Sequence, residues 1–412
     1  MIFNSLGASY DWVDCWLAIK ELIWPNQQSK PKLQKLLSQQ FDGKARLLFN
    51  GRDALEYCLT AYGIGEGDEV LTQGLSCASL EEAIQRVQAR AVYMDLDQQY
   101  LGVTKLQLQR AWCRAKKPKA VIVQHGWGYP DQLTEIAFFC CQHKLILIED
   151  LAQSVGALTR DKKAVGTAGD ALIFSFGRDK IWDGISGGAV VFCNHSQFKP
   201  QLPDIPDWFA QPNDWSQKKI VLKLLFYPLM TAGVRLGYQL GIGQALHFLL
   251  QKINWMQSAL ISPHAHFQSF PAYFAPLILR RWEGLADQIE ARRVLAQFYH
   301  QQLQTVPRIK VLTNEKYLNQ AVHLRFPILL DSSADLLSLL DHFKRHHIYL
   351  ADRWYKAVVD SGRQPFASSY RSGECPVAER WAERVLNLPT HRLISQKKAA
   401  VIVRAIKTWS QK

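Results

Sequence analysis

Short apolar runs alternate with stretches of helical spacing along the first half of the chain, and that alternation constrains the fold most. The runs fall at 45–49, 70–72, 90–94, 119–124, 145–148 and 171–174. Each is too short for a buried helix and stops against a polar residue or a glycine, as strands do. Between them Ala54, Leu55, Cys58, Leu59 and Tyr62 recur at spacings of three and four, which puts them on one face of a helix. Residues 79–86, 106–115 and 132–143 also read as helices. Strands and helices in alternation predict an α/β fold: a mainly parallel, mixed sheet flanked by helices on both faces.

At 412 residues the chain should divide into about two domains. We expect a large domain at 1–290 and a smaller C-terminal α/β domain at 291–412, with strands at 308–312 and 322–329 and helices at 334–345 and 396–406. An apolar helical insertion occupies about 195–265; in it, 224–234 and 236–251 are uncharged runs separated by Arg235, with lysines at 218, 219, 223 and 252 around them. The longer run falls short of the about 20 residues needed to span a bilayer. The segment is expected either to pack on the body or across a dimer interface, or to make peripheral contact with a membrane through 218–252.

Hydrophobic residues at 48% and charged residues at 21% exclude a disordered chain. A net charge of +13 suits an acidic partner, but the basic residues are scattered and carry no nucleic-acid motif, so nucleic acid is not expected. The eight cysteines form no CxxC pair, which predicts reduced thiols, no metal site and a cytoplasmic location. The first ten residues lack the basic start of a signal peptide.

Three polar residues stand at or just after predicted strand ends: Asp150, Ser175 and Lys180. In an open α/β sheet ligands gather beyond the carboxyl ends of the strands. An acid, a hydroxyl and an amine there fit pyridoxal 5'-phosphate (PLP). The acid would oppose the pyridine nitrogen, the hydroxyl would meet the phosphate, and Lys180 would be the covalent anchor. Gly51-Arg52-Asp53 opens a helix, whose free N–H groups bind phosphate. Each residue also has a plain reading: a helix-capping Asp, a turn Ser, a surface Lys. Their order and spacing favour the joint one.

The motifs support it. NGRDAL (50–55), GIGEGDEVL (63–71), AVYMDLD (91–97), VIVQHGWGYP (121–130), IEDLAQSVGA (148–157), GTAGDALIFSFGRDK (166–180), SGGAVV (186–191) and CPVAERWAERVLNLPTH (375–391) together span most of the chain. In these the sequence resembles the fold-type I PLP enzymes, and in particular the nucleotide-sugar aminotransferases of the DegT/DnrJ group. The resemblance implies PLP as cofactor, with Lys180 its covalent anchor, Asp150 at the pyridine nitrogen, Gln153 near the ring hydroxyl, and Ser175 at the phosphate with the backbone of Gly51, Arg52 and Asp53. It implies transfer of an amino group from an amino acid such as glutamate to a nucleotide-linked keto-sugar, for surface polysaccharide or glycoconjugate synthesis, by a homodimer. His125, Trp354 and Tyr355, with Asp352 and Arg353, are the implied substrate contacts.

Three places depart from the family pattern. One lies near 269–272, where relatives carry an Asn and an Arg-Met segment that completes the neighbouring subunit's site and this sequence has no recognisable counterpart. Cys77 stands where relatives place an aromatic ring over PLP, and Ile185-Ser186-Gly187-Gly188 replaces a Gly-Glu-Gly-Gly turn. They leave open an alternative: a catalytically weakened relative with a binding or regulatory role, at the inner face of a membrane.

Overall fold

The computed structural model describes the chain except residues 25, 100, 207–214, 239, 254, 256–265, 351–353 and 363–365. Its central sheet has seven strands: β1 (Gly43–Leu48), β2 (Glu69–Gln73), β3 (Arg90–Met94), β4 (Pro118–Val123), β5 (Ile146–Asp150), β6 (Ala171–Ser175) and β7 (Gly188–Cys193). They lie in the order β1-β7-β6-β5-β4-β2-β3. β7 runs antiparallel to β1 and β6, and the other pairings are parallel. β1 and β6 therefore point the same way, and their carboxyl ends reach the same edge as that of β5.

The helices around this sheet are α1 (Trp12–Ile23), α2 (Ser29–Gln40), α3 (Gly51–Ala61), α4 (Ala78–Arg86), α5 (Lys105–Arg114), α6 (Leu133–His143), α7 (Trp215–Gly237), α8 (Ile242–Lys252) and α9 (Ala275–Glu283). Period-two alternation sorts each strand between two cores. On β6, Ala171 and Ile173 join the cluster that includes Leu55 and Leu59 of α3. Leu172 and Phe174 join the one that includes Leu33 and Leu37 of α2.

A second lobe follows α10 (Leu285–Leu303). It contains β8 (Ile309–Val311), β9 (Phe326–Leu330), α11 (Ser333–Arg345), α12 (Pro376–Arg384), β10 (Val385–Leu388) and α13 (Gln396–Ser410), with its strands antiparallel in the order β8-β9-β10. The expected boundary at 290 falls inside α10. Leu285 and Ile289 pack in the large-sheet core and Leu295, Ala296 and Tyr299 in the second core. Ile2 also belongs to the second core, because Ile2–Phe3 pairs with Ile348–Tyr349. Residues 1–290 are thus not all in one lobe.

Within the insertion 215–237 and 242–252 are helical while 195–206 is loop, and Arg235, which separates the two uncharged runs of the sequence, lies inside a helix. That residue continues α7, its Nη1 donating to the Gly7 carbonyl at 3.2 Å. The chain turns at Gly241, whose φ of 77° suits a residue without a side chain.

Candidate active site

At the edge where β1, β5 and β6 end, Gly51, Arg52, Asp150, Ser175, Gly177 and Lys180 are all partly exposed, although the strand residues leading to them are mostly buried. The opening therefore has a polar lining on an apolar base.

Its first wall is the start of α3. Asn50 caps the helix, its side chain accepting the Asp53 N–H at 2.9 Å. The N–H groups of Gly51 and Arg52, the first two of the helix, have no intrahelical carbonyl to bind. A Cβ on Gly51 would stand 2.8 Å from Ser175 Cβ and 3.1 Å from its Oγ, so the Ser175 hydroxyl sits against this terminus. Arg52 Nε lies 3.0 Å from Glu82, while its Nη1 is buried with no hydrogen-bond partner among the described residues. Two amides, a hydroxyl and an unspent guanidinium N–H at a helix N-terminus fit a phosphate monoester.

The second wall is the end of β5, where Glu149 and Asp150 point to opposite faces. Asp150 Oδ1 accepts the Ala152 N–H at 3.0 Å. Burial raises its pKa against that N–H and the positive charge of Lys180. A carboxylate so placed is stabilised by a cationic N–H brought against it. Glu149 is fully buried and accepts the N–H groups of Gly166, Ala168 and Gly169, which ties down the turn before β6.

Lys180 lies on the loop between β6 and β7. Asp183 staples that loop: its carboxylate accepts the Asp179 N–H at 2.8 Å, the Ile185 N–H at 2.9 Å and the Tyr10 hydroxyl at 2.5 Å. Burial, then the neighbouring Asp179, pushes the Asp183 pKa up to about 6. Gly187, at φ 115°, lets the chain turn into β7. Lys180 Nζ ends 5.0 Å from the Trp354 ring centroid, and the Arg325 guanidinium lies 5.2 Å from the same ring.

Gln153 and Tyr355 form a buried support. Gln153 Oε1 accepts the Trp127 N–H at 2.7 Å and its amide donates to the Tyr355 hydroxyl. The Tyr355 ring meets Trp127 edge-on at 5.5 Å. Burial, and then the nearness of Cys77 and Asp150, raises the Tyr355 pKa, which puts all three residues in one neighbourhood. Cys77 is exposed, ahead of α4.

Two expected contacts are corrected. His125 does not face a substrate: its ring is completely buried between Asp131 and Glu149, with Nε2 3.3 Å from Glu149 and Nδ1 3.2 Å from Asp131 Oδ2. Asp53 offers neither its N–H, taken by Asn50, nor its carboxylate, which faces Arg86 at 3.4 Å and the Gln268 N–H at 3.2 Å. Asp352 and Arg353 lie outside the described residues. Asp183, Tyr10 and Arg325 were missed. The first had a signal, an acid in the loop that carries Lys180, but Tyr10 is brought in from the far N-terminus.

A family model described as the DegT/DnrJ/EryC1/StrS aminotransferase family matches residues 43–200 and 272–407. A pleiotropic regulatory protein of Geobacillus stearothermophilus is 32% identical over 148 residues, 36% of this chain and 39% of that protein. The match thus spans about two fifths of that relative's length. A UDP-N-acetyl-3-dehydro-alpha-D-glucosamine 3-aminotransferase of Acidithiobacillus ferrooxidans is 25% identical over 361 residues, 87% of this chain and 82% of the relative. Among solved structures, the PLP form of Spr1654, a sugar aminotransferase candidate of Streptococcus pneumoniae, shares the fold. It has a TM-score of 0.69 and 15% identity over 98% of this chain and 97% of that one.

Proposed function

The chain belongs to the DegT/DnrJ/EryC1/StrS aminotransferase family, whose model covers more than half of it, and from that premise we propose that it is a PLP-dependent sugar aminotransferase. It moves an amino group from an amino acid such as glutamate to a nucleotide-linked keto-sugar. The observation that carries this reading is the meeting of Asp150, Ser175, Lys180 and the start of α3 at one partly exposed sheet edge.

The residues present fit the cofactor. The Gly51 and Arg52 amides, Ser175 Oγ and Arg52 Nη1 would hold its phosphate, Asp150 its ring nitrogen, and Lys180 Nζ the covalent link. When bound, PLP supplies an electron-withdrawing ring that stabilises negative charge on the substrate carbon. Asp150 would favour the protonated form of the ring nitrogen, since a buried carboxylate is stabilised by a positive partner. Lys180 Nζ is the amine that would take a proton from the donor and return one to the acceptor. Gln153 and Tyr355 hold each other and back the site. The Trp354 ring fixes the direction of Lys180 by a cation–π contact.

A homodimer in the cytoplasm is part of the same proposal, the location supported by eight free thiols among the described residues. So is peripheral membrane contact through 218–252. Purified protein given PLP, glutamate and a panel of nucleotide keto-sugars should form 2-oxoglutarate and an amino sugar in equal amounts. PLP uptake without either product, from any donor or acceptor, would replace this reading by the weakened relative that Cys77 suggests.

A further inference from the structure

The family model leaves 1–42 and 201–271 unmatched, and α1, α7 and α8 come from those two stretches. They pack together, with α7 against both α1 and α8. Twelve of the eighteen exposed large hydrophobic side chains among the described residues lie within 12–24 and 236–253, so the exposed apolar surface is concentrated rather than scattered. On α1, Trp12, Trp16, Ile19 and Ile23 fall on one stripe at helical spacing, and Trp24 follows at 71% exposure. From the end of α7 through α8, Leu236, Leu240, Ile242, Phe248 and Leu249 are exposed. Trp12 and Leu236 line one open cleft of about 230 Å³ with Arg235, which joins the two stripes into a single face.

The charges on this face have one sign. No Asp or Glu occurs between Asp214 and Glu283, whereas Lys218, Lys219, Lys223, Arg235 and Lys252 fall within α7 and α8. The other two basic residues of that stretch, Arg280 and Arg281, belong to α9 and are spent on Asp11 and Asp14. The acids of α1 are turned inward or neutralised. Asp14 is buried against Arg280 and Arg281, Asp11 pairs with Arg280 and Arg392, and Glu21 is buried, accepting the Asn26 N–H at 2.8 Å. Lys20 stays outside, its Nζ 5.3 Å from the Trp16 ring.

We propose that α1, α7 and α8 form a docking face for an anionic phospholipid bilayer, on which the chain lies without crossing. Negative headgroups complement the Lys and Arg residues, and the acyl boundary accepts the Trp, Leu and Phe side chains. A second copy of the chain is the poorer occupant, because a two-fold contact would set this positive face against itself. No helix among the described residues is long and apolar enough to cross a membrane. The inference extends the 218–252 contact to α1. It stands apart from the aminotransferase reading, since none of the cofactor-holding residues lies on these helices.

The test is flotation of the purified full chain with phosphatidylcholine vesicles, with and without phosphatidylglycerol. The protein should float with the anionic vesicles and be released by salt. Trp12→Ser/Trp16→Ser/Trp24→Ser should lower partitioning roughly tenfold or more with circular dichroism and gel-filtration volume unchanged. Lys20→Glu/Lys252→Glu should lower the preference for anionic vesicles by about tenfold. Failure of the wild type to float with anionic vesicles, or flotation of either variant at the wild-type level, overturns the proposal. So does a shift of the Trp variant to a smaller species, which would make the face a contact between copies. None of these outcomes bears on amino transfer.

Discussion

His125 holds a charge where a charge is costly. Burial opposes its protonation, but hydrogen bonds to Asp131 and Glu149 outweigh burial and push its pKa up to about 9. The Asp131 N–H, 3.0 Å from Nδ1, favours the neutral ring, yet one amide dipole is a weaker influence than two carboxylates. A His that titrates near 6.5 unfolded and about 9 folded adds on the order of 3 kcal/mol. That contribution is complete below about pH 6.5 and is lost as pH rises through about 9. His125→Gln should therefore lower stability by about 3–5 kcal/mol near neutral pH, and urea unfolding across pH should show the difference shrinking on the alkaline side. The sequence revealed that residues 125, 150, 175 and 180 could do chemistry. It could not say which way the His points, because that depends on Glu149 from another strand. For the catalytic acid, Asp150→Asn should keep the fold and lower transamination by about 10²–10⁴-fold, read as the rate of 2-oxoglutarate formation.

Phosphate binding depends on how closely α3 starts against β6. Gly51→Ala would place its Cβ 2.8 Å from Ser175 Cβ, and either the helix or the strand end must shift. PLP affinity should fall at least about tenfold, measured by absorbance titration, with little change in thermal midpoint. Wild-type affinity would mean that this junction does not hold the phosphate. The elements themselves were legible: strands expected at 90–94 and 171–174 appear as Arg90–Met94 and Ala171–Ser175, since period and bounding polar residues are local signals. The insertion was legible as apolar and helical, but not in which of its faces stays open. A stripe such as Trp12, Trp16, Ile19 and Ile23 reads the same whether another element covers it or solvent does. Arg235 sits inside α7 with its guanidinium on a distant carbonyl, that of Gly7, a partner that no local pattern marks.

The whole molecule is joined by segments that no local pattern marks. α10 passes from one core to the other. The N-terminus pairs with Ile348–Tyr349, and its Ser5 and Tyr10 side chains reach the loop of Lys180 through Asp179 at 2.9 Å and Asp183. Removing residues 1–10 should cost about 2–4 kcal/mol of stability, counting the buried Ile2 and the lost hydrogen bonds, and should weaken PLP binding with it. Calorimetry beside a cofactor titration checks both; cofactor affinity at the wild-type level would show that the N-terminus does not brace the loop. The central claim is that this loop presents Lys180 to PLP. Borohydride reduction of the PLP-loaded protein, followed by peptide mapping, tests it most directly. A phosphopyridoxyl group is expected on Lys180, and none in a Lys180→Ala variant. Label on another lysine, or no uptake of PLP by the wild type, would contradict it.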